Sequence, residues 1–257
     1  MTRLAIFLLM IAGAPLSAQS IHGTAVYRMV EESAIRDIKE KLSDLVGPLS
    51  GWAQSLHHQY ALDFSPQRAY YHPYRALKTE PVKQRRMRIM IMSSNAQRQI
   101  YTDRTAGRWV MILETSDETV YVEDSLLDFR WRILPQKRKI GDFIAFKAEG
   151  VVTRVKCPPR DSGLCNLDTA RITAWFTPQI PVAFGPAIYG GLPGLILELQ
   201  DGRNHYYLEK VTLENKASDV PAPPDHTAKA VRWMEWLRSR RDQQNDDPRR
   251  RRAASQH

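Results

Sequence analysis

The stretch GLILELQDGRNHYYLEKVTL, residues 194–213, decides the fold class. Leu195-Ile196-Leu197 with Leu199 reads as a buried strand, Asp201-Gly202 as a tight hairpin turn, and 204–213 as the returning strand. Working outward, further strand candidates fall at 24–30, 60–64, 87–92, 99–101, 109–113, 118–122, 129–134, 142–149, 150–156 and 169–177. Thr105-Ala106-Gly107 supplies a second hairpin signal. Short strands at this spacing predict a mainly β chain. Its core is a large curved antiparallel sheet, either a half-barrel or folded into a sandwich-like pair. No βαβ alternation occurs, which speaks against a dinucleotide-binding sheet.

Two segments break the strand pattern. Over 33–46, Ile35, Ile38, Leu42 and Leu45 recur at three- and four-residue spacing and predict one inserted amphipathic helix, closed by Gly47-Pro48. Residues 217–225 form a proline-rich connector, after which Asp225 is placed to cap a C-terminal amphipathic helix reaching about 241. Val231, Met234 and Leu237 make its apolar stripe, widened by Trp233 and Trp236. The predicted organisation is a signal peptide at 1–18, a β-rich domain at 19–216, the connector and helix at 217–242, and a disordered basic tail at 243–257.

The first residues, MTRLAIFLLMIAGAPLSAQS, have a basic start at Arg3, an apolar stretch from Leu4 to Ala14 and small residues before Ala18. That is the layout of a secretory signal cleaved near Ala18, so the mature chain is expected in the periplasm or at the outer membrane, with no transmembrane span. Export settles how the two cysteines read. Cys157 and Cys165 bracket a turn-rich loop, and in an oxidising compartment a disulfide is their natural pairing. Two cysteines are too few for an all-thiolate zinc site.

The formal net charge of +9 is unevenly distributed. Residues 78–108 carry a net +6, residues 128–147 a net +4 and residues 226–257 a net +5, so the remainder is mildly acidic. In an exported chain such basic segments suit anionic envelope lipid, or simply a solvated surface, better than nucleic acid.

No catalytic chemistry emerges from motif or spacing. There is no HExxH, no GxSxG elbow and no phosphate-loop lysine. His57 and His58 on a strand point to opposite faces and cannot chelate one ion together. No cofactor or metal site is predicted, and the chain reads as a non-enzyme.

Residues 174–199 are the most distinctive text: four prolines (Pro178, Pro181, Pro186, Pro193) impose an extended path, and Gly190, Gly191 and Gly194 allow close backbone approach. Gly191-Leu192-Pro193-Gly194-Leu195-Ile196 resembles the signature for which the GLPGLI family is named. Trp175-Phe176-Thr177-Pro178, Ile180-Pro181, Gly185-Pro186 and Tyr189-Gly190 resemble its wider block, and Trp131, Ile133 and Lys139-Ile140-Gly141 its approach. The resemblance runs over roughly 22–214. It implies an exported bacterial β-rich protein with no assigned activity or catalytic residue, often encoded beside TonB-dependent outer-membrane receptors. The expected function is therefore a cell-envelope binding or accessory protein, its partner an outer-membrane receptor or anionic envelope lipid. Residues 178–194 would form a lip on the concave face of the sheet, with Trp175, Phe176, Phe184 and Tyr189 as candidate contacts. The alternative is a periplasmic hydrolase, which a pocket gathering His57 or His205 with an acid and a hydroxyl would indicate.

Overall fold

A computed structural model describes residues 21–31, 57–74, 98–114, 118–158, 163–214, 219–225 and 229–255. The expected signal segment, the helix at 33–46 and the strand at 87–92 lie outside the described residues. Twelve strands and two helices are described. They are β1 (His22–Glu31), β2 (His57–Phe64), β3 (Arg68–Pro73), β4 (Arg98–Asp103), β5 (Arg108–Glu114) and β6 (Thr119–Ser125), followed by β7 (Arg132–Ile140), β8 (Phe143–Lys156), β9 (Asn166–Thr177), β10 (Leu195–Gln200), β11 (Asn204–Glu214) and β12 (Ala230–Val231). The helices are α1 (Trp233–Asn245) and α2 (Pro248–Ala254).

All twelve strands join one sheet in the order β12-β6-β5-β4-β3-β2-β1-β11-β10-β9-β8-β7. Every pairing is antiparallel except β12 on β6, so the sheet is mixed at that edge alone. Helix α1 touches β6 near one end of this order and β8 and β9 near the other. One helix can reach both only if the sheet curls around its inner face, and no pairing of β7 with β12 closes it into a barrel. The half-barrel alternative is the one realised.

Strand alternation separates the two faces. Ala25, Leu62, Tyr71, Ile100, Met111 and Val122 lie in register across β1 to β6, and each is at most 2% exposed. The opposite face carries an equally continuous row of polar and aromatic residues: Lys147, Trp175, Glu198, Tyr207, Arg28 and Gln59. The register shift in β10 between Ile196 and Glu198 leaves the Ile196 carbonyl for the Tyr27 hydroxyl, which donates to it at 2.6 Å.

Four local expectations are corrected. The candidates at 142–149 and 150–156 are one fourteen-residue strand, because Gly150 does not end it. A Cβ there would meet the Phe129 carbonyl at 2.7 Å, and the glycine lets the chain before β7 pass against β8. That passing chain is why the candidate at 129–134 begins only at Arg132. Asp225 is not the helix cap. Ala230 and Val231 pair with Tyr121 and Val122 instead, and Asp124 of β6 accepts the Trp233 backbone N–H at 3.0 Å while pairing with Arg232 at 2.8 Å. The tail expected to be disordered over 243–257 is helical through Ala254. Pro248 starts α2 with its φ already suitable for a helix, and Arg250, 8% exposed, donates to the Pro158 and Gly163 carbonyls at 2.8 and 3.2 Å. Those carbonyls belong to the loop that the Cys157–Cys165 disulfide closes. Asn245 grips the same loop, accepting from the Cys165 amide at 2.6 Å and donating to its carbonyl at 3.1 Å.

Candidate functional site

Between β9 and β10 the chain does not turn tightly. Four prolines between 178 and 193 withhold amide donors from any ladder, and the segment lays itself over the inner face of the sheet. Ile180, Val182, Phe184 and Leu192 are buried there, each at most 3% exposed. Phe184 bridges Gly190 as a short ribbon, and the Ile196 amide donates to the Phe184 carbonyl at 3.0 Å. The ribbon is tied down twice more. The Trp131 indole donates to the Gly190 carbonyl at 2.8 Å, and the Tyr189 hydroxyl donates to Asp201 Oδ2 at 2.9 Å. Asp201 meanwhile accepts the Arg203 and Asn204 amides through Oδ1 at 2.9 and 2.7 Å, so the hairpin turn anchors the lip. Burial, then the neighbouring Asp201 carboxylate, push the Tyr189 phenol well above its ordinary range, which keeps it a proton donor.

A cavity of about 40 Å³ remains between this lip and the sheet. Its floor is Leu62, Ala69, Thr102 and Trp109, the last three in register across β3, β4 and β5. Leu126, Leu127 and Phe129, from the chain between β6 and β7, form one wall. Phe184, Ala187, Ile188 and Tyr189 of the lip form the other. Arg104, at the start of the β4–β5 turn, stands on the rim. Among the described residues, the two non-glycine residues with positive φ are Arg130 (50°) and Ala187 (53°). One lies in each walling segment. Left-handed backbone costs roughly 1–2 kcal/mol for such residues and persists only where surrounding contacts impose it.

The four aromatic candidates divide. Phe184 and Tyr189 line the cavity. Phe176 is on the inner face but packs against Phe146, ring centroids 6.2 Å apart, away from the cavity. Trp175 faces outward, with the Arg138 guanidinium 4.1 Å from its ring centroid. Alternation along β9 separates them: if Phe176 points in, Trp175 cannot. The hexapeptide 191–196 runs from the lip into β10, where Leu195 and Ile196 are fully buried. The floor residues, Arg104 and the wall at 126–129 were not singled out in the sequence. Thr105-Ala106-Gly107 marked the turn beside Arg104 but carried no hint of what the turn overhangs.

His205 does gather an acid and a hydroxyl. Its Nε2 is 2.9 Å from Glu198 Oε1, and its Nδ1 is 2.6 Å from the Tyr207 hydroxyl. Tyr206 between them faces inward, 4% exposed, so this trio sits on the outer face, across the sheet from the cavity. Glu198 is partly buried, which opposes ionisation, yet His205 and Arg138 hold its carboxyl below the usual range. On the same face Asp63 accepts from Thr24 at 2.6 Å and lies 3.0 Å from His72 Nε2. The side chain of His57 lies outside the described residues. Among those described, no group of three or more His, Cys, Asp or Glu is arranged to hold a metal, and no helix is long and apolar enough to cross a membrane.

Comparison with known proteins finds a family model similar to part of this region. The model of a family described as a protein of unknown function (Porph_ging) matches residues 131–198, from Trp131 through β7, β8, β9 and the lip into β10. No curated protein matches the chain. Among solved structures it is similar to PNGF-II in two crystal forms. One match, at 15% identity and a TM-score of 0.46, covers 77% of this chain and 28% of that one. The other, at 13% identity and a TM-score of 0.47, covers 88% and 34%. The chain thus spans about a third or less of PNGF-II. LprF from Mycobacterium bovis matches at 13% identity and a TM-score of 0.26, covering 80% of this chain and 90% of that one.

Proposed function

We propose that the protein is a non-enzymatic binding or accessory protein of the bacterial cell envelope, of the GLPGLI type, exported by its N-terminal segment and serving an outer-membrane receptor system. The observation that carries this reading is the cavity under the lip. Its lining is apolar and aromatic with one cation on the rim, the composition expected of a recognition pocket. Both walls contain a residue with left-handed backbone, Arg130 and Ala187, a feature that clusters at ligand sites. The family match at 131–198 includes the hexapeptide at 191–196 and supports the type. The acid–histidine–hydroxyl trio at Glu198, His205 and Tyr207 does not turn the reading toward a hydrolase, because it lies on the convex side of the sheet and away from the cavity. Anionic envelope lipid is the lesser partner. In the described part of the basic tail, Arg250 points into the protein, which leaves Arg251 and Arg252 as its exposed cations.

The test is recovery of partners from envelope fractions with a tagged chain after cross-linking. An outer-membrane receptor retained by the wild-type chain and lost from Ala69→Leu, which fills the cavity floor, supports the reading. Equal recovery with both chains, or no receptor with either, refutes it.

A further inference from the structure

We infer that the cavity under the lip is a receptor for the C-terminal residue of a partner chain, taking one branched aliphatic side chain into the cavity and its terminal carboxylate onto Arg104. The inference rests on the binding-protein reading and names what that site takes.

Size decides the first half. About 40 Å³ is room for roughly three or four water-sized groups. A leucine or valine side chain fits that space, and a long acyl chain does not. The interior surfaces, Leu62, Trp109, Leu127, Phe129 and Phe184, offer an inserted group carbon and aromatic contacts.

Charge decides the second half. Three arginines surround the β4–β5 hairpin. Arg68 is paired with Asp103 at 3.0 Å and Arg108 with Glu123 at 2.6 Å. Arg104 is exposed, lines the cavity and has no ion pair among the described residues. A guanidinium takes a carboxylate through two parallel hydrogen bonds, and it is more selective for that planar anion than an ammonium would be. A chain terminus carries its side chain and its carboxylate on one Cα. It therefore satisfies a pocket and a cation that share one lining.

The lip supplies the geometry. Ala187, at its tip, is held at φ 53° by the Phe184–Gly190 bridge, the Trp131 bond and the Tyr189 bond to Asp201. These ties keep the mouth open before any ligand arrives, so little ordering accompanies binding.

The probe is N-acetyl-L-leucine, titrated into purified ¹⁵N-labelled protein while the Trp109 indole N–H resonance is followed. A saturable shift with a millimolar Kd is expected for a ligand of this size. Affinity should fall tenfold or more with N-acetyl-L-leucinamide, which lacks the carboxylate, and in Arg104→Gln. N-acetylglycine should give no saturation. Ala69→Leu should abolish binding, and Thr102→Leu fills the same space should the first variant fail to melt cooperatively. Equal affinity for acid and amide overturns the inference, as does the absence of any saturable shift. Tighter binding of decanoate than of acetyl-leucine overturns it in favour of an acyl-chain site. Failure here with receptor recovery intact removes only the ligand assignment. Probe binding without receptor recovery removes only the accessory role.

Discussion

Within the hexapeptide at 191–196, Gly194 admits a sharp test of what the motif is for. A methyl group on its Cα would stand 2.1 Å from the Thr177 carbonyl oxygen, 2.5 Å from that carbonyl carbon and 2.9 Å from the Pro178 nitrogen. All three are backbone atoms, and a comfortable carbon–oxygen contact is about 3.3 Å. One main chain must therefore retreat by about 1 Å. Thr177 is fully buried and pairs with Leu195, so the retreat opens the β9–β10 register at its start. Overpacking side chain against side chain costs about 1–3 kcal/mol, and forcing two backbones apart belongs at or above the top of that range. We expect Gly194→Ala to lose at least about 3 kcal/mol, lowering Tm by roughly 6–12 °C for a domain of this size. Gly191→Ala is the comparison. Its φ is +89°, but the nearest atom to an added Cβ is Trp131 Nε1 at 3.9 Å. It should cost only the left-handed backbone, about 1–2 kcal/mol, or roughly 2–8 °C. The assay is thermal unfolding followed by far-ultraviolet circular dichroism, with a cooperative transition required of each variant. A Gly194→Ala protein that melts above Gly191→Ala refutes the packing argument, and the motif would then have to be explained by contact with another molecule.

Three further outcomes follow from the same contacts. Arg250→Ala should cost about 2 kcal/mol, because a buried guanidinium donating to two carbonyls is lost, while the exposed Arg252→Ala should leave the melt unchanged; equal effects would place α2 off the Cys157–Cys165 loop. Replacing both cysteines by serine, or adding reductant, should remove about 2.5 kcal/mol by the chain-entropy relation, read as a lower urea midpoint, and an unmoved midpoint contradicts it. Glu198 is held below the ordinary carboxylate range in the folded chain, so its contribution is present above about pH 4.3 and is lost as pH falls through its folded value. Glu198→Gln should accordingly lower the urea midpoint at pH 7 and approach wild type as pH falls through the folded value of Glu198. A gap that is constant with pH counts against it.

Hydrophobic alternation and turn chemistry made most of the sheet legible. Asp201-Gly202 and Thr105-Ala106-Gly107 both mark hairpins that the chain adopts, and local signals suffice because such turns are local objects. β3 was missed as a strand because Tyr70-Tyr71-His72-Pro73 shows no polar alternation; its outward residues, Tyr70 and His72, are themselves aromatic and stack 4.5 Å apart. Asp225 was a sound capping residue on propensity, but Asp124, over a hundred positions earlier, took that role through tertiary contact. For the same reason the cavity was only half visible. Phe184 and Tyr189 sit in conspicuous text, whereas Ala69, Thr102 and Arg104 acquire meaning only once β3, β4 and β5 bring them under the lip. Arg250 looked like one more charge in a basic run, and nothing in its neighbours signals that two distant carbonyls bury it.

The place of β1 in the sheet bears on how the chain folds as it is made. β1 is flanked on one side by β2, its next described neighbour in sequence, and on the other by β11, with His22 opposite Glu214. Within the two halves, β1 to β6 and β7 to β11, β2–β3, β4–β5, β5–β6, β7–β8 and β10–β11 follow one another through short connections, whereas long stretches of sequence separate β1 from β2, β3 from β4 and β9 from β10. In the sheet the two halves join where β1 pairs with β11, a seam that is complete only once position 214 has emerged, while the lip and α1 bridge the halves across the inner face. Such a long-range seam is slow to close, and each half exposes an unpaired apolar edge while it waits. The interval before the seam closes is when the chain is most open to proteases, to chaperones and to association with its own copies.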